Sequence, residues 1–154
     1  MKRIRLYAGA LALLLLGGHG TDIGRLRPVE LVQLTERNGL LILETDTGDC
    51  GWGLTVDQAV GKLKETTPGQ IYLDTADYLL LEEGTEKYLP QLRPYLKKGT
   101  RMAYAPKEID LMGAVEYLSI HKPFRTLGKW DKPAEKLVFE GGKINLKNFE
   151  KIKK

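Results

Sequence analysis

Segments with strand character alternate with segments of helical spacing along most of this chain, and that alternation restricts the fold more than any other feature of the sequence. From residue 29 to residue 146 the predicted order is ββαβ(β)αβαββ. Helices that alternate with strands pack against a sheet. The sequence therefore predicts an α/β or α+β fold with a single mixed β-sheet and about three helices.

Two local signals define the first half of the predicted domain. An Asn-Gly pair at Asn38 favours a type I′ hairpin turn between strands at residues 29–36 and 40–47, because both central residues of that turn need positive φ. Thr55 can cap the next helix, and Gln58 three residues later completes a capping box. The spacing of apolar residues predicts that the buried face of this helix holds Val56, Ala59, Val60 and Leu63.

The second half of the domain continues the alternation. A second helix is predicted over residues 85–97 with a break near Pro90, because proline costs about 3 kcal/mol inside a helix. A third helix is predicted to begin after the capping residue Asp110. Short apolar segments predict the other strands, at residues 71–73, 78–81, 102–105 and, as a closing hairpin, 137–146.

The first residues have the pattern of an export signal. Residues 1–5 carry three basic side chains, residues 6–16 carry no charge, and small residues follow. The apolar run is short beside the roughly 20 residues that a membrane span needs. We assign residues 1–20 to a signal peptide or an N-terminal membrane anchor, and we expect the rest of the chain to be extracytoplasmic, either secreted or membrane-associated.

The remainder is expected to form a single globular α/β domain over residues 28–146 and a basic tail over residues 147–154. Of the 24 basic residues, three lie in residues 1–5 and five in residues 143–154, which leaves 16 between them against 19 of the 20 acidic residues. An acidic body excludes a phosphate-binding face, so we expect no nucleic acid partner. The tail is expected either to face solvent or to contact an anionic membrane surface through Lys147, Lys151, Lys153 and Lys154.

The reactive residue types are too few for common catalytic or metal sites. Cys50 is the single cysteine, so no disulfide forms within the chain, and with His121 it cannot supply a zinc cluster. Ser119 is the single serine and lies two residues from His121 on a predicted helix, so the two side chains point to different faces. We predict no catalytic residue, no metal site and no cofactor.

Two tripeptides resemble the catalytic motif of aspartic proteases. Asp-Thr-Gly begins at Asp46, and Asp-Thr-Ala begins at Asp74. That mechanism needs two carboxylates that share a proton in a site shielded from water. The nearby acids Glu44 and Asp49 favour an open, solvated turn instead, so we expect both tripeptides to be structural. A hydrolase that uses Asp46 and Asp74 is the alternative.

A glycine-rich loop over residues 48–53 precedes the first helix. Its backbone N–H groups and those of the helix start would suit a small anion or a nucleotide, although the lysine of a P-loop is absent after the last glycine. Tryptophans in loops either anchor a partner or cover the edge of the core. The candidate binding residues are Gly51, Trp52, Gly53, Thr55 and Trp130.

One stretch of the chain resembles a known family. The residues that carry the resemblance are Gly-Leu-Thr-Val-Asp-Gln-Ala-Val at 53–60, Leu63, Ile-Tyr-Leu-Asp at 71–74 and Tyr-Leu-Leu-Leu at 78–81. Over about residues 45–120 this pattern resembles the first domain of the Ger(x)C family, the lipoprotein C-subunits of spore germinant receptors. The lipidated cysteine of that family is missing, and the chain is too short for its later domains. The resemblance implies a stand-alone relative of one domain, without catalytic residues.

These patterns together predict a non-catalytic, exported or membrane-associated binding or assembly module, with a protein partner at the cell envelope and a role in sporulation or germination. Two alternatives stay open. One is the hydrolase that uses Asp46 and Asp74, and the other is a small anion or nucleotide binder at residues 48–55.

Overall fold

The computed structural model describes residues 26–152. The export segment predicted at residues 1–20 therefore lies outside the described residues. The strands are β1 (Leu26–Pro28), β2 (Leu31–Arg37), β3 (Leu40–Thr45), β4 (Cys50–Gly53), β5 (Gln70–Tyr72), β6 (Tyr78–Leu81), β7 (Arg101–Tyr104), β8 (Glu135–Glu140) and β9 (Lys143–Asn148). The α-helices are α1 (Val56–Thr66), α2 (Leu89–Leu92), α3 (Leu111–Ile120) and α4 (Phe149–Ile152).

Seven of these strands form one mixed sheet in the order β4-β3-β2-β6-β7-β8-β9. Strands β2, β6, β7 and β8 run parallel to one another, and β3, β4 and β9 are antiparallel additions at the two sides. Strands β1 and β5 form a separate parallel pair. The prediction of a single mixed sheet with helices packed on it is confirmed for the main sheet, and the fold belongs to the α+β class.

The two faces of the sheet are covered by different helices. Helices α1 and α2 pack on one face, where Leu63 and Leu92 join the buried side chains Leu34, Leu43 and Leu79. Helix α3 packs on the opposite face, where its buried side chains join those of β2, β6, β7 and β8: Ala114, Leu118, Leu31, Leu80, Ala103 and Leu137. The central strands are buried on both sides, as β6 illustrates with four consecutive buried residues.

The local signals for turns and caps are confirmed. Asn38 and Gly39 have φ values of 52° and 78°, as a type I′ turn requires. The Thr55 hydroxyl accepts a hydrogen bond from the Gln58 N–H at 3.2 Å, and the Gln58 side-chain oxygen accepts one from the Leu54 N–H at 2.9 Å. The capping box thus forms, except that the Gln58 side chain binds the N–H of Leu54, the residue before the cap, instead of the N–H of Thr55 itself.

Two predicted elements differ from those in the structure. The glycine-rich segment contains strand β4 rather than a loop throughout, because its glycines fit beneath α1. The segment predicted as a helix over residues 85–97 breaks at Leu89, next to the predicted break at Pro90, but it breaks a second time at Arg93. Two 3₁₀ turns, Thr85–Tyr88 and Arg93–Tyr95, therefore flank the single turn of α2. Pro90 lies in the first turn of α2, and Pro94 lies in the first turn of the 3₁₀ turn Arg93–Tyr95. The missing N–H of proline is tolerated at both positions, because the first N–H groups of a helix have no partner within it.

The domain also continues past residue 146, its predicted end. Strand β9 extends to Asn148, and the ring of Phe149 lies 4.5 Å from the ring of Tyr104, centroid to centroid. Residues 147–149 therefore belong to the packed domain rather than to a separate tail, because an aromatic side chain that packs on a buried strand is tied to the core.

Candidate functional site

The predicted binding residues occupy two different parts of the fold. Gly51, Trp52, Gly53 and Thr55 lie at the junction of β4 and α1, and Trp130 lies between α3 and β8. Four strands separate β4 from β8 in the sheet. The structure therefore does not gather the five residues into one site, and each region is described by itself.

Gly51 and Gly53 are required by packing. A Cβ atom on Gly51 would lie 2.2 Å from the carbonyl oxygen of Ala59, and one on Gly53 would lie 2.4 Å from the Cβ of Gln58. Both glycines are buried, so they let α1 approach the edge strand closely. The Thr55 hydroxyl already accepts the Gln58 N–H in the first turn of α1, and the Gln58 side chain accepts the Leu54 N–H just before the helix, so an anion there would have to compete with both bonds.

The Trp52 side chain leaves β4 on the face opposite to the one where Gly51 and Gly53 contact α1, because successive side chains of a strand alternate between the two faces of a sheet. It lies directly opposite Ile42 of β3. Leu40 and Trp52 expose 38% and 46% of their surface, and Leu54, just after β4, exposes 69%. We name the group Leu40, Ile42, Trp52 and Leu54 the Trp52 surface. Its apolar side chains lie on the two strands at one edge of the sheet and at the end of β4.

The charges around the Trp52 surface are mixed. The Lys62 ammonium lies 5.5 Å from the centroid of the Trp52 ring. Glu44 lies across from Cys50 on the same two strands. Burial, followed by the charge of Glu44, raises the pKa of the Cys50 thiol, so a smaller fraction of it is present as the nucleophilic thiolate at neutral pH.

Trp130 belongs to a second exposed group that the sequence analysis only partly identified. The Arg125 guanidinium lies 4.5 Å from the centroid of the Trp130 ring, and the Phe124 ring lies 6.4 Å from it. Trp130 and Phe124 expose 39% and 73% of their surface, and Ile120 at the end of α3 exposes 77%. In the sequence, apolar and basic residues alternate over 120–132, and this pattern could have predicted the group.

The two aspartates of the protease-like tripeptides have separate positions. The Asp46 carboxylate accepts hydrogen bonds from the backbone N–H groups of Glu30 and Leu31, at 3.1 and 3.0 Å. Asp74 lies exposed in a 3₁₀ turn and lines an open cleft of about 500 Å³ together with Lys64. Among residues 26–152, no hydrogen bond joins the two carboxyl groups, so the geometry offers no shared proton.

The other reactive side chains also lie apart. His121 stacks on Tyr117, with ring centroids 4.5 Å apart, and the Ser119 hydroxyl donates to the carbonyl of Glu116 one turn back. In the described part of the chain, no three histidine, cysteine or acidic side chains are grouped to hold a metal ion.

Two of the four lysines assigned to a basic tail lie in β9 and α4. Lys147 forms an ion pair with Glu140 across the β8–β9 hairpin, and Lys151 is exposed in α4. Lys153 and Lys154 lie outside the described residues. Within residues 26–152, no helix has both the length and the apolar character needed to cross a membrane.

Comparisons with models of known protein families, with curated proteins and with solved structures find no match to this chain.

Proposed function

We propose that this protein is a non-catalytic binding or assembly module that acts outside the cytoplasm, and that the Trp52 surface is its contact with a protein partner. The observation that carries the proposal is the position of Trp52. It lies on an edge strand, opposite Ile42, and 46% of its surface is exposed. Tryptophan is among the residues that contribute most to protein interfaces, because it removes much apolar area from water at once.

Three features favour a protein as the partner. The Trp52 surface is apolar at its centre, which suits a contact that excludes water. Charges of both signs surround it, from Lys62 and Glu44, as is common at the polar rim of a protein–protein interface. The close packing of α1 over Gly51 holds the strand in place before binding, so little conformational freedom is lost on association.

The site of action rests on the predicted export segment and on the family resemblance. An export signal at residues 1–20 would direct the domain out of the cytoplasm, and the resemblance to Ger(x)C proteins suggests sporulation or germination as the process. Fusing residues 1–28 to a reporter that is active only outside the cytoplasm tests the first part. An active reporter supports export, and a silent one contradicts it.

Site-specific photo-crosslinking tests the partner contact. A photoreactive amino acid at position 54 or 40 should give one discrete crosslinked protein when the full chain is expressed in its own host. The matched control places the same amino acid at Met112, which is 67% exposed on α3, and should not give that product. The proposal fails if positions 54 and 40 give no product, or if position 112 gives the same one.

A further inference from the structure

We propose that residues 120–132, named here the basic–aromatic loop, are a contact site for the anionic surface of a lipid bilayer. This proposal concerns a different part of the molecule from the Trp52 surface and does not depend on the protein partner. Three observations support it: exposed apolar side chains, an excess of positive charge and a backbone that is held in place.

The apolar side chains of the loop are unusually exposed for their size. Ile120 and Phe124 expose 77% and 73% of their surface, and Trp130 exposes 39%. The rings of Phe124 and Trp130 lie next to each other, with centroids 6.4 Å apart. Tryptophan and phenylalanine are common where a protein enters the headgroup region of a bilayer, because this region accepts both an apolar ring and a polar group.

The charges of the loop have one predominant sign. It contains four basic residues and one acidic residue, Asp131. Asp131 forms an ion pair with Arg93 at 2.8 Å, and the carboxylate of the neighbouring Glu135 accepts the Phe124 N–H at 2.7 Å. Each of these two carboxylates already has a partner, whereas within residues 26–152 no ion pair is formed by the exposed lysines, which can meet an anionic surface: Lys122, Lys129 and Lys132.

The backbone of the loop is fixed to the body of the domain. The Met102 N–H donates to the Arg125 carbonyl at 2.9 Å, and the Leu127 N–H donates to the Thr100 carbonyl at 2.8 Å. Leu127 is 1% exposed and joins the core. The outward positions of Phe124 and Trp130 therefore follow from an ordered backbone, and contact with a membrane costs little ordering of this segment.

The combination favours a lipid surface over a second protein. Exposed apolar side chains that alternate along the loop with lysines match the two attractions of an anionic bilayer, which are burial in the headgroup region and electrostatic attraction of about 1 kcal/mol per basic residue. The Trp52 surface, with charges of both signs, lacks this combination.

Fluorescence quenching by brominated lipids tests the proposal on the full chain. The chain has two tryptophans, so Trp52→Phe leaves Trp130 as the single reporter, and Trp130→Phe leaves Trp52. With vesicles of phosphatidylglycerol and phosphatidylcholine brominated in the acyl chains, Trp130 emission should shift to shorter wavelength and be quenched. Trp52 emission should not be quenched. Every variant carries the same first 25 residues, so any anchoring by that segment is common to all of them.

Charge variants and lipid composition complete the test. Replacing Lys122, Lys129 and Lys132 by glutamine should abolish the quenching of Trp130, and a matched triple replacement of Lys64, Lys87 and Lys107 should retain it. Quenching should also disappear in pure phosphatidylcholine and weaken as salt rises, because the Debye length falls from about 30 Å at 0.01 M to about 3 Å at 1 M. The proposal is overturned if Trp130 is not quenched, if both tryptophans are quenched equally, or if the charge of the lipid or the loop makes no difference.

Discussion

The Asp46 carboxylate accepts a hydrogen bond of 3.0 Å from the backbone N–H of Leu31, the first residue of β2. Two residues earlier in the chain, the N–H of Val29 donates a hydrogen bond of 3.0 Å to the Thr75 hydroxyl. Both protease-like tripeptides thus bind the chain where it enters the central sheet. The Asp-Thr pairs are therefore explained by hydrogen bonds from their side chains to the backbone of residues 29–31.

The first prediction separates the two aspartates by stability. Asp46→Ala removes the acceptor for two backbone N–H groups, so we expect it to lower the free energy of unfolding by about 1–3 kcal/mol. Asp74→Ala, at an exposed position, should change it by less than about 0.5 kcal/mol. Urea denaturation measures both. A hydrolase that uses the pair would instead show a coupled titration of the two carboxyl groups by NMR, which would refute the structural assignment.

The second prediction concerns the contact of β4 with α1. Gly51→Ala should destabilise the domain by about 1–3 kcal/mol, because the added methyl would lie 2.2 Å from the Ala59 carbonyl oxygen. Gly61→Ala is the matched control. Gly61 lies in α1 with nothing within 4 Å of an added Cβ, so helix propensity should make that variant more stable by up to about 1 kcal/mol. Equal thermal midpoints for the two variants would mean that α1 does not lie on β4 in this way.

The third prediction concerns alkaline pH. Burial, followed by the charges of Glu86 and Glu83, raises the pKa of Tyr104 to about 12. In the unfolded chain the phenol ionises near pH 10. Between these values the unfolded state binds fewer protons than the folded state, so stability falls as pH rises. The contribution of Tyr104 is complete below pH 10 and is lost between about pH 10 and 12.

The variant Tyr104→Phe isolates this effect from the other groups that titrate in the same range. The free energy of unfolding of the unaltered chain should fall more steeply between pH 10 and 12 than that of Tyr104→Phe. Parallel pH profiles for the two proteins would show that Tyr104 has an ordinary pKa and is less buried than described.

Local chemistry made several elements predictable from the sequence. The hairpin turn at Asn38 and the caps at Thr55 and Asp110 depend on residues within four positions of each other, and all three form. The apolar spacing of α1 also predicts its buried face, because a helix places residues three and four apart on one side.

The missed elements depend on contacts between distant parts of the chain. Strand β4 contains two glycines and looks like a loop until α1 is placed over Gly51. The order of the strands is also not encoded locally. Strand β2 pairs with β6, although β3, β4, α1 and β5 lie between them in the chain, so this pairing depends on how those elements pack. Trp130 was a candidate from the sequence, but its neighbour Phe124 was missed for a related reason, since exposure depends on which other side chains the fold brings near.

The most direct test of the proposed function measures stability and crosslinking together for Trp52→Ala, with the photoreactive amino acid at position 54. If Trp52 is displayed for a partner, its replacement should change the free energy of unfolding by less than about 1 kcal/mol and should abolish the crosslinked product. If Trp52 instead covers the edge of the core, the variant should lose about 3–5 kcal/mol, as buried tryptophans do. That loss, or a crosslinked product that persists without Trp52, would contradict the proposal.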